Sequence, residues 1–167
     1  MNQIKKLLIV GKYTFFELIK SKIMLVTVIL GFFLMLISYV SSEFTYGAPE
    51  RVALDFGMGS LSISLVGISI FMGVGLMSQE IENRTLYVIL TRPIARHSFL
   101  IGRILGMLAI LFLIASILGT MTILCFSILG GKISTLMFWC LAFTYLEAAI
   151  VLIVTVLFSL ITNTTAS

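Results

Sequence analysis

Long stretches without a charged side chain constrain this chain more than any other feature of its sequence. Four such segments, 23–41, 56–78, 104–131 and 133–162, contain no Asp, Glu, Lys or Arg apart from Glu147. A helix that crosses the hydrocarbon core of a bilayer needs about 20 apolar residues. The chain has only 167 residues, and 60% of them are hydrophobic while 11% are charged; a soluble domain of this size cannot bury so much apolar surface. The sequence therefore predicts an all-α integral membrane protein, a polytopic helical bundle with four visible spans.

The basic residues predict how the spans are oriented. Nine of the eleven lie before the first segment or between the second and the third: Lys5, Lys6, Lys12, Lys20, Lys22, Arg84, Arg92, Arg96 and Arg103. Loops rich in Lys and Arg stay in the cytoplasm. We therefore expect a multi-pass protein of the cell (inner) membrane with its N-terminus in the cytoplasm.

The first 22 residues are predicted to form a cytoplasmic amphipathic helix at the membrane interface. Apolar residues such as Ile4, Leu8 and Phe15 follow helical spacing, and lysines separate them. The five lysines and the lack of an early apolar run are not typical of a cleavable signal peptide. A simple membrane anchor and a helix that binds a partner both fit this pattern.

Small residues mark surfaces on which helices can approach closely within a bilayer. The candidates for helix packing or for a dimer seam are Gly67, Gly73, Gly75, Gly102 and Gly106. A path for a substrate is the alternative interpretation of these positions.

The segment between the second and third spans, 79–103, is too patterned for a plain loop. Glu80 and Arg84 are spaced i to i+4 in the favourable order, which predicts a short helix over 80–90. Pro93 disfavours a helical conformation at Arg92 and predicts a turn before the third span. We expect a helix along the inner membrane surface, a turn and a return into the bilayer.

The 28 residues of QEIENRTLYVILTRPIARHSFLIGRILG resemble the cytoplasmic loop of permease subunits of ABC-2 type exporters. In that family an acidic helix containing Arg-Thr is followed by a Lys/Arg-Pro-Ile turn and a Gly-Arg/Lys pair at the start of the next span. The resemblance implies a permease with six spans, whereas four are visible here. We expect that the last two helices of the family are missing from this chain; a shorter homologue is the alternative.

The resemblance also implies a function and its residues. The chain would be the membrane-spanning permease subunit of an ATP-driven exporter, paired with a second copy or a paralogue and driven by separate ABC ATPase (nucleotide-binding) subunits. ATP and magnesium would be bound by those ATPase subunits. The implied coupling interface comprises Glu80, Glu82, Asn83, Arg84 and Thr85, with Arg92, Pro93 and Arg96 in the return.

The sequence does not predict an enzyme or a cofactor site in this chain. A phosphate-binding loop requires GxxxxGK[ST], and the nearest stretch, 126–133, begins with Phe126 and has Ile133 after the lysine. With one Asp, one His and two Cys in the chain, no catalytic residues and no metal ligands are expected. The net charge of +4 is too small and too scattered for nucleic-acid binding; the other expected partner is membrane lipid.

Glu147 is the one ionisable residue inside a predicted span. Such residues are costly in lipid and are candidates for function, so Glu147 is a possible transport-pathway residue. Alternatively it holds a neighbouring helix or lies near the outer headgroups, where Trp139 and Tyr145 would form an aromatic belt. For the chain as a whole, a non-transporting membrane scaffold is the alternative to the exporter, and an ion channel centred on Glu147 is the third hypothesis.

Overall fold

Helices make up all the regular structure in the described part of the chain. The computed structural model describes residues 3–20, 22–44, 49–82, 96–131 and 133–165, with side chains at 9–20, 22, 25–41, 43–44, 51–75, 100–131, 133–159 and 161. The five helices within these residues are α1 (Gln3–Ile19), α2 (Lys22–Glu43), α3 (Pro49–Glu82), α4 (Arg96–Ile128) and α5 (Thr135–Thr165). The predicted all-helical architecture is confirmed.

Three of the five helices are long and apolar enough to span a membrane. Their candidate spans are Arg51–Gly75 in α3, Leu100–Ile128 in α4 and Thr135–Ser159 in α5. Large apolar side chains cover their outer faces: Phe71 is 82% exposed and Ile63 is 76% exposed. Lipid is the solvent that suits such a surface, so these helices indicate a membrane protein.

The remaining apolar helix, α2, has a shorter apolar stretch among its described side chains, Leu25–Ser41. The whole helix has 22 residues and is therefore about 33 Å long. The hydrocarbon core is about 30 Å thick. The span predicted over 23–41 stays a prediction, as does the count of four spans.

The helices on either side of the segment 83–95 extend beyond the charge-free stretches of the sequence. α3 continues through Glu82, so 79–82 belong to it, and α4 begins at Arg96, within the predicted loop. α3 has 34 residues and is about 51 Å long, well over the thickness of the hydrocarbon core. A charge in the sequence marks the edge of lipid and not the end of a helix, because backbone hydrogen bonds continue past it.

The turn between α4 and α5 is determined by local hydrogen bonds. Gly130 has a φ of +85°, a conformation that glycine adopts without strain. The N–H groups of Gly130 and Gly131 donate to the carbonyls of Ser127 and Phe126, each at 3.1 Å, which is the Schellman pattern for ending a helix. Ser134 then caps α5, since its Oγ accepts a bond from the backbone N–H of Leu136 at 3.4 Å.

α4 lies at the centre of the bundle and contacts each of the other four helices. Its buried side chains recur with helical spacing at Met107, Ile110, Leu111, Ile114 and Leu118. They pack with Leu18 of α1, with Leu61, Leu65 and Met72 of α3, and with Ala148, Leu152 and Val156 of α5. One continuous apolar core therefore connects α1 to the spans.

Candidate functional site

The predicted coupling interface lies mostly outside the described residues. Glu80 and Glu82 are in the last turn of α3 and Arg96 is the first residue of α4, but their side chains are not described. The remaining coupling positions, Asn83, Arg84, Thr85, Arg92 and Pro93, lie outside the described residues altogether. The structure describes the two long helices on either side of this segment, α3 before it and α4 after it.

A close contact between glycines holds α1 against α4 near that end of the bundle. A Cβ atom on Gly106 would lie 2.7 Å from the carbonyl oxygen of Gly11 and 2.7 Å from Cβ of Thr14. On Gly11 it would lie 3.1 Å from the carbonyl oxygen of Gly102. These backbones approach so closely that no larger residue fits without moving a helix. The structure thus places Gly102 and Gly106 in packing with α1.

An ion pair joins the same two helices. Arg103 lies between the two glycines of α4, and its Nη1 is 3.6 Å from Oε2 of Glu17 in α1. The arginine is 8% exposed, whereas the Glu17 side chain is 42% exposed. The pair connects the amphipathic helix to the helix that follows the 83–95 segment.

The candidate glycines of α3 differ in their surroundings. A Cβ on Gly73 would lie 3.0 Å from Cγ2 of Thr155 and 3.6 Å from the carbonyl oxygen of Leu152, so Gly73 is packed against α5. A Cβ on Gly67 or Gly75 would meet nothing within 4 Å. Within the described residues, these two positions therefore face open space.

Glu147 lies halfway along the candidate span of α5, Thr135–Ser159. The hydroxyl of Ser62 in α3 donates a hydrogen bond to its Oε2 at 3.0 Å. The Glu147 side chain is exposed at the surface of the chain. The carboxylate thus combines two features: it connects α3 to α5, and it faces outward at mid-span.

The neighbouring aromatic residues have different surroundings. The hydroxyl of Tyr145 donates to the carbonyl of Leu108 at 3.3 Å, and its ring packs edge-on against Phe112 with centroids 5.4 Å apart. Tyr145 therefore packs α5 onto α4, whereas Trp139 is 60% exposed. Of the two residues, Trp139 has the exposure that a membrane-interface aromatic requires.

The sequence predicted Glu147 and five glycines as candidates, but it did not predict the contacts with Ser62 and Gly11 or the ion pair between Glu17 and Arg103. The only signal for the ion pair is the spacing of Gly102, Arg103 and Gly106, which puts a charge between two small residues on a helix. Among the residues with described side chains, no group of three His, Cys, Asp or Glu lies close enough to hold a metal ion.

Comparisons with known proteins give no family for this chain. No family model matches it, and neither the curated proteins nor the solved structures contain a match.

Proposed function

We propose that this chain is a membrane-spanning permease subunit of an ATP-driven exporter of the ABC-2 type. The observation that carries the proposal is the segment QEIENRTLYVILTRPIARHSFLIGRILG, which resembles the coupling loop of that family. Two membrane-length helices, α3 and α4, flank its middle part, 83–95. A soluble ATPase that pushes against this segment would transmit the force to the ends of α3 and α4.

The length of α3 supports the mechanical part of the proposal. The helix has 34 residues and is about 51 Å long, whereas the hydrocarbon core is about 30 Å thick. The charge-free segment predicted to lie in lipid ends at Ser78. Glu80 and Glu82 would then stand beyond the hydrocarbon core, where a cytoplasmic partner can reach them.

The attachment of α1 to α4 gives this end of the bundle a second rigid connection. Gly11 is in contact with Gly106, and Arg103 is paired with Glu17. Because helices packed this closely move together, displacement of the start of α4 would carry α1 with it. In the proposed cycle, closure of two ATPase subunits tilts α3, α4 and α1 and opens a path between two permease copies.

Glu147 is the candidate residue for that path. An exposed carboxylate at mid-span is costly against lipid, by about 2.5 kcal/mol or more. A path that admits water, or a neighbouring subunit with a donor group, would remove this cost. The hydrogen bond from Ser62 ties the carboxylate to α3, one of the two helices on which the ATPase would act.

The experiment removes the charges of the coupling segment and asks whether an ATPase partner is lost. The protein is purified from its native membranes with its partners, and the partners are identified by mass spectrometry. We expect an ATPase with a phosphate-binding loop to co-purify, and we expect Glu82→Ala with Arg84→Ala to abolish its recovery and the ATP hydrolysis of the complex. Membrane insertion should be unchanged.

The matched control removes the same two charge types elsewhere. Glu43→Ala with Arg51→Ala changes exposed residues at the end of α2 and the start of α3, away from the coupling segment that follows α3. The ATPase should be retained in this variant. If the ATPase is retained in the coupling variant as well, the coupling assignment is wrong. If the unaltered protein co-purifies with other proteins and no ATPase, the scaffold function is favoured.

A further inference from the structure

The face of α1 that points away from α4 carries a distinct combination of side chains. Thr14 and Leu18 are buried against the bundle, 0% and 2% exposed. The opposite face presents Ile9, Lys12, Tyr13 and Phe16, and Lys20 follows the last residue of α1 on the same side; all five are exposed. Successive members are spaced by one, three or four residues, so all five share one side of the helix.

Apolar and basic groups alternate on this face. Tyr13 is 73% exposed, Ile9 60% and Phe16 48%, which is a substantial aromatic and aliphatic surface for a helix of 17 residues. The Lys12 ammonium lies 5.9 Å from the centre of the Phe16 ring, so a cation and an aromatic face are adjacent. Aromatic rings beside lysines are typical of helices that lie at the headgroup level of a membrane.

The charge of the face is positive because its nearest acid is engaged elsewhere. Glu17 is the only acidic residue in α1, and its carboxylate is paired with Arg103 of α4. Lys12 and Lys20 are therefore not neutralised by an acid of α1. The complementary partner is a negatively charged surface that also accepts apolar side chains.

We propose that this face of α1 is a binding surface for anionic phospholipid: the rings of Tyr13 and Phe16 enter the headgroup region, and Lys12 and Lys20 bind lipid phosphates. The proposal rests on the packing of α1 and not on export, so it holds or fails independently of the exporter function. A soluble protein that covers the same rings and lysines is the alternative occupant, and the test below distinguishes it from lipid. The apolar residues between the lysines favour lipid.

The test measures which lipid surrounds α1. Tyr13→Trp is introduced together with Trp139→Phe, which leaves one indole in the protein because Trp139 is the only native tryptophan. The full chain is reconstituted in two sets of vesicles with the same phosphatidylcholine and phosphatidylglycerol content. In one set the quenching bromine atoms are on the zwitterionic lipid, and in the other they are on the anionic lipid.

We expect stronger quenching by the brominated anionic lipid. Each lysine near an anionic membrane surface strengthens binding to that surface about fivefold. Lys12→Gln with Lys20→Gln should make the two lipids quench equally, and Arg51→Gln, which removes an exposed charge far from α1, should leave the preference intact. High salt should reduce the preference of the labelled protein that keeps both lysines.

Two results overturn the proposal. Equal quenching by both lipids at low salt means that the face touches the membrane without recognising anionic headgroups. Quenching by neither lipid, together with quenching by water-soluble acrylamide, means that the face is turned to the cytoplasm and is available to a soluble protein.

Discussion

Glu147 is a charged side chain within the candidate span of α5, where a hydroxyl of α3 binds it. Glu147 stands out in the sequence because it interrupts an apolar segment, but its partner Ser62 lies 85 positions away. Which serine meets the carboxylate depends on how α3 and α5 are rotated against each other. Side-chain periodicity within one helix does not contain that information, so the residue was predictable and its contact was not.

The Ser62–Glu147 contact gives a testable prediction for stability. We expect Ser62→Ala and Glu147→Leu to be coupled by about 0.6 kcal/mol and by no more than about 1.7 kcal/mol, the average and the maximum for hydrogen bonds between helices in a membrane. The coupling is obtained from a double-mutant cycle on unfolding in mixed micelles.

The control cycle pairs Glu147→Leu with Ser116→Ala. The Ser116 hydroxyl bonds to the carbonyl of Phe112 in its own helix, so its coupling to Glu147 should be close to zero. Equal coupling in both cycles would mean that the hydrogen bond does not join α3 to α5.

At the scale of elements, helix identity was predictable and helix bounds were not. Long apolar segments predicted helices, and α3, α4 and α5 fall on them. Their ends extend to Glu82 and Arg96 because membrane boundaries and helix boundaries are set by different forces, solvation in one case and backbone hydrogen bonding in the other. The packing of α1 on α4 depends on close backbone approach at Gly11 and Gly106. The spacing of Gly102 and Gly106 predicted a packing surface on α4, but nothing in the sequence indicated that Gly11 of α1 would contact it.

Substitution of Gly106 should loosen α1 without unfolding the spans. In Gly106→Ala the added methyl group lies 2.7 Å from the carbonyl oxygen of Gly11, and overpacking of this kind costs about 1 to 3 kcal/mol. We expect faster hydrogen exchange at the backbone amides of α1. Gly67→Ala is the matched control, because its methyl group enters open space and alanine favours helix by up to about 1 kcal/mol. Unchanged exchange in the Gly106 variant would contradict the packing.

At the scale of the whole molecule, composition indicated lipid as the solvent, and the arrangement of the helices agrees with it. The outer surfaces of α3 and α5 carry exposed Phe and Ile side chains, while the core around α4 is closed. The neighbours of each helix could not be predicted, since apolar spans are similar to one another and the choice depends on small residues and a few polar contacts. Orientation in the membrane rests on the distribution of basic residues alone.

That orientation can be checked by labelling. In a chain with Cys125→Ser and Cys140→Ser, we expect Gly47→Cys to react with a membrane-impermeant maleimide in intact cells. Thr91→Cys should react only after permeabilisation, because the basic residues around it predict a cytoplasmic location. Labelling of both positions from the outside would refute the predicted topology, and labelling of Thr91→Cys alone before permeabilisation would mean that the two loops lie on the sides opposite to those predicted.

The contact between Gly11 and Gly106 also imposes an order on biosynthesis. The two glycines are far apart in the chain, and ribosomes add about 5 to 20 residues per second, so α1 waits between about 5 and 20 seconds for α4 to be made. During that interval its glycine face and Glu17 have no α4 to bind. A lipid surface that holds the opposite face of α1 would keep the nascent helix near the site where α4 emerges, so the two faces of one short helix would serve successive stages of assembly.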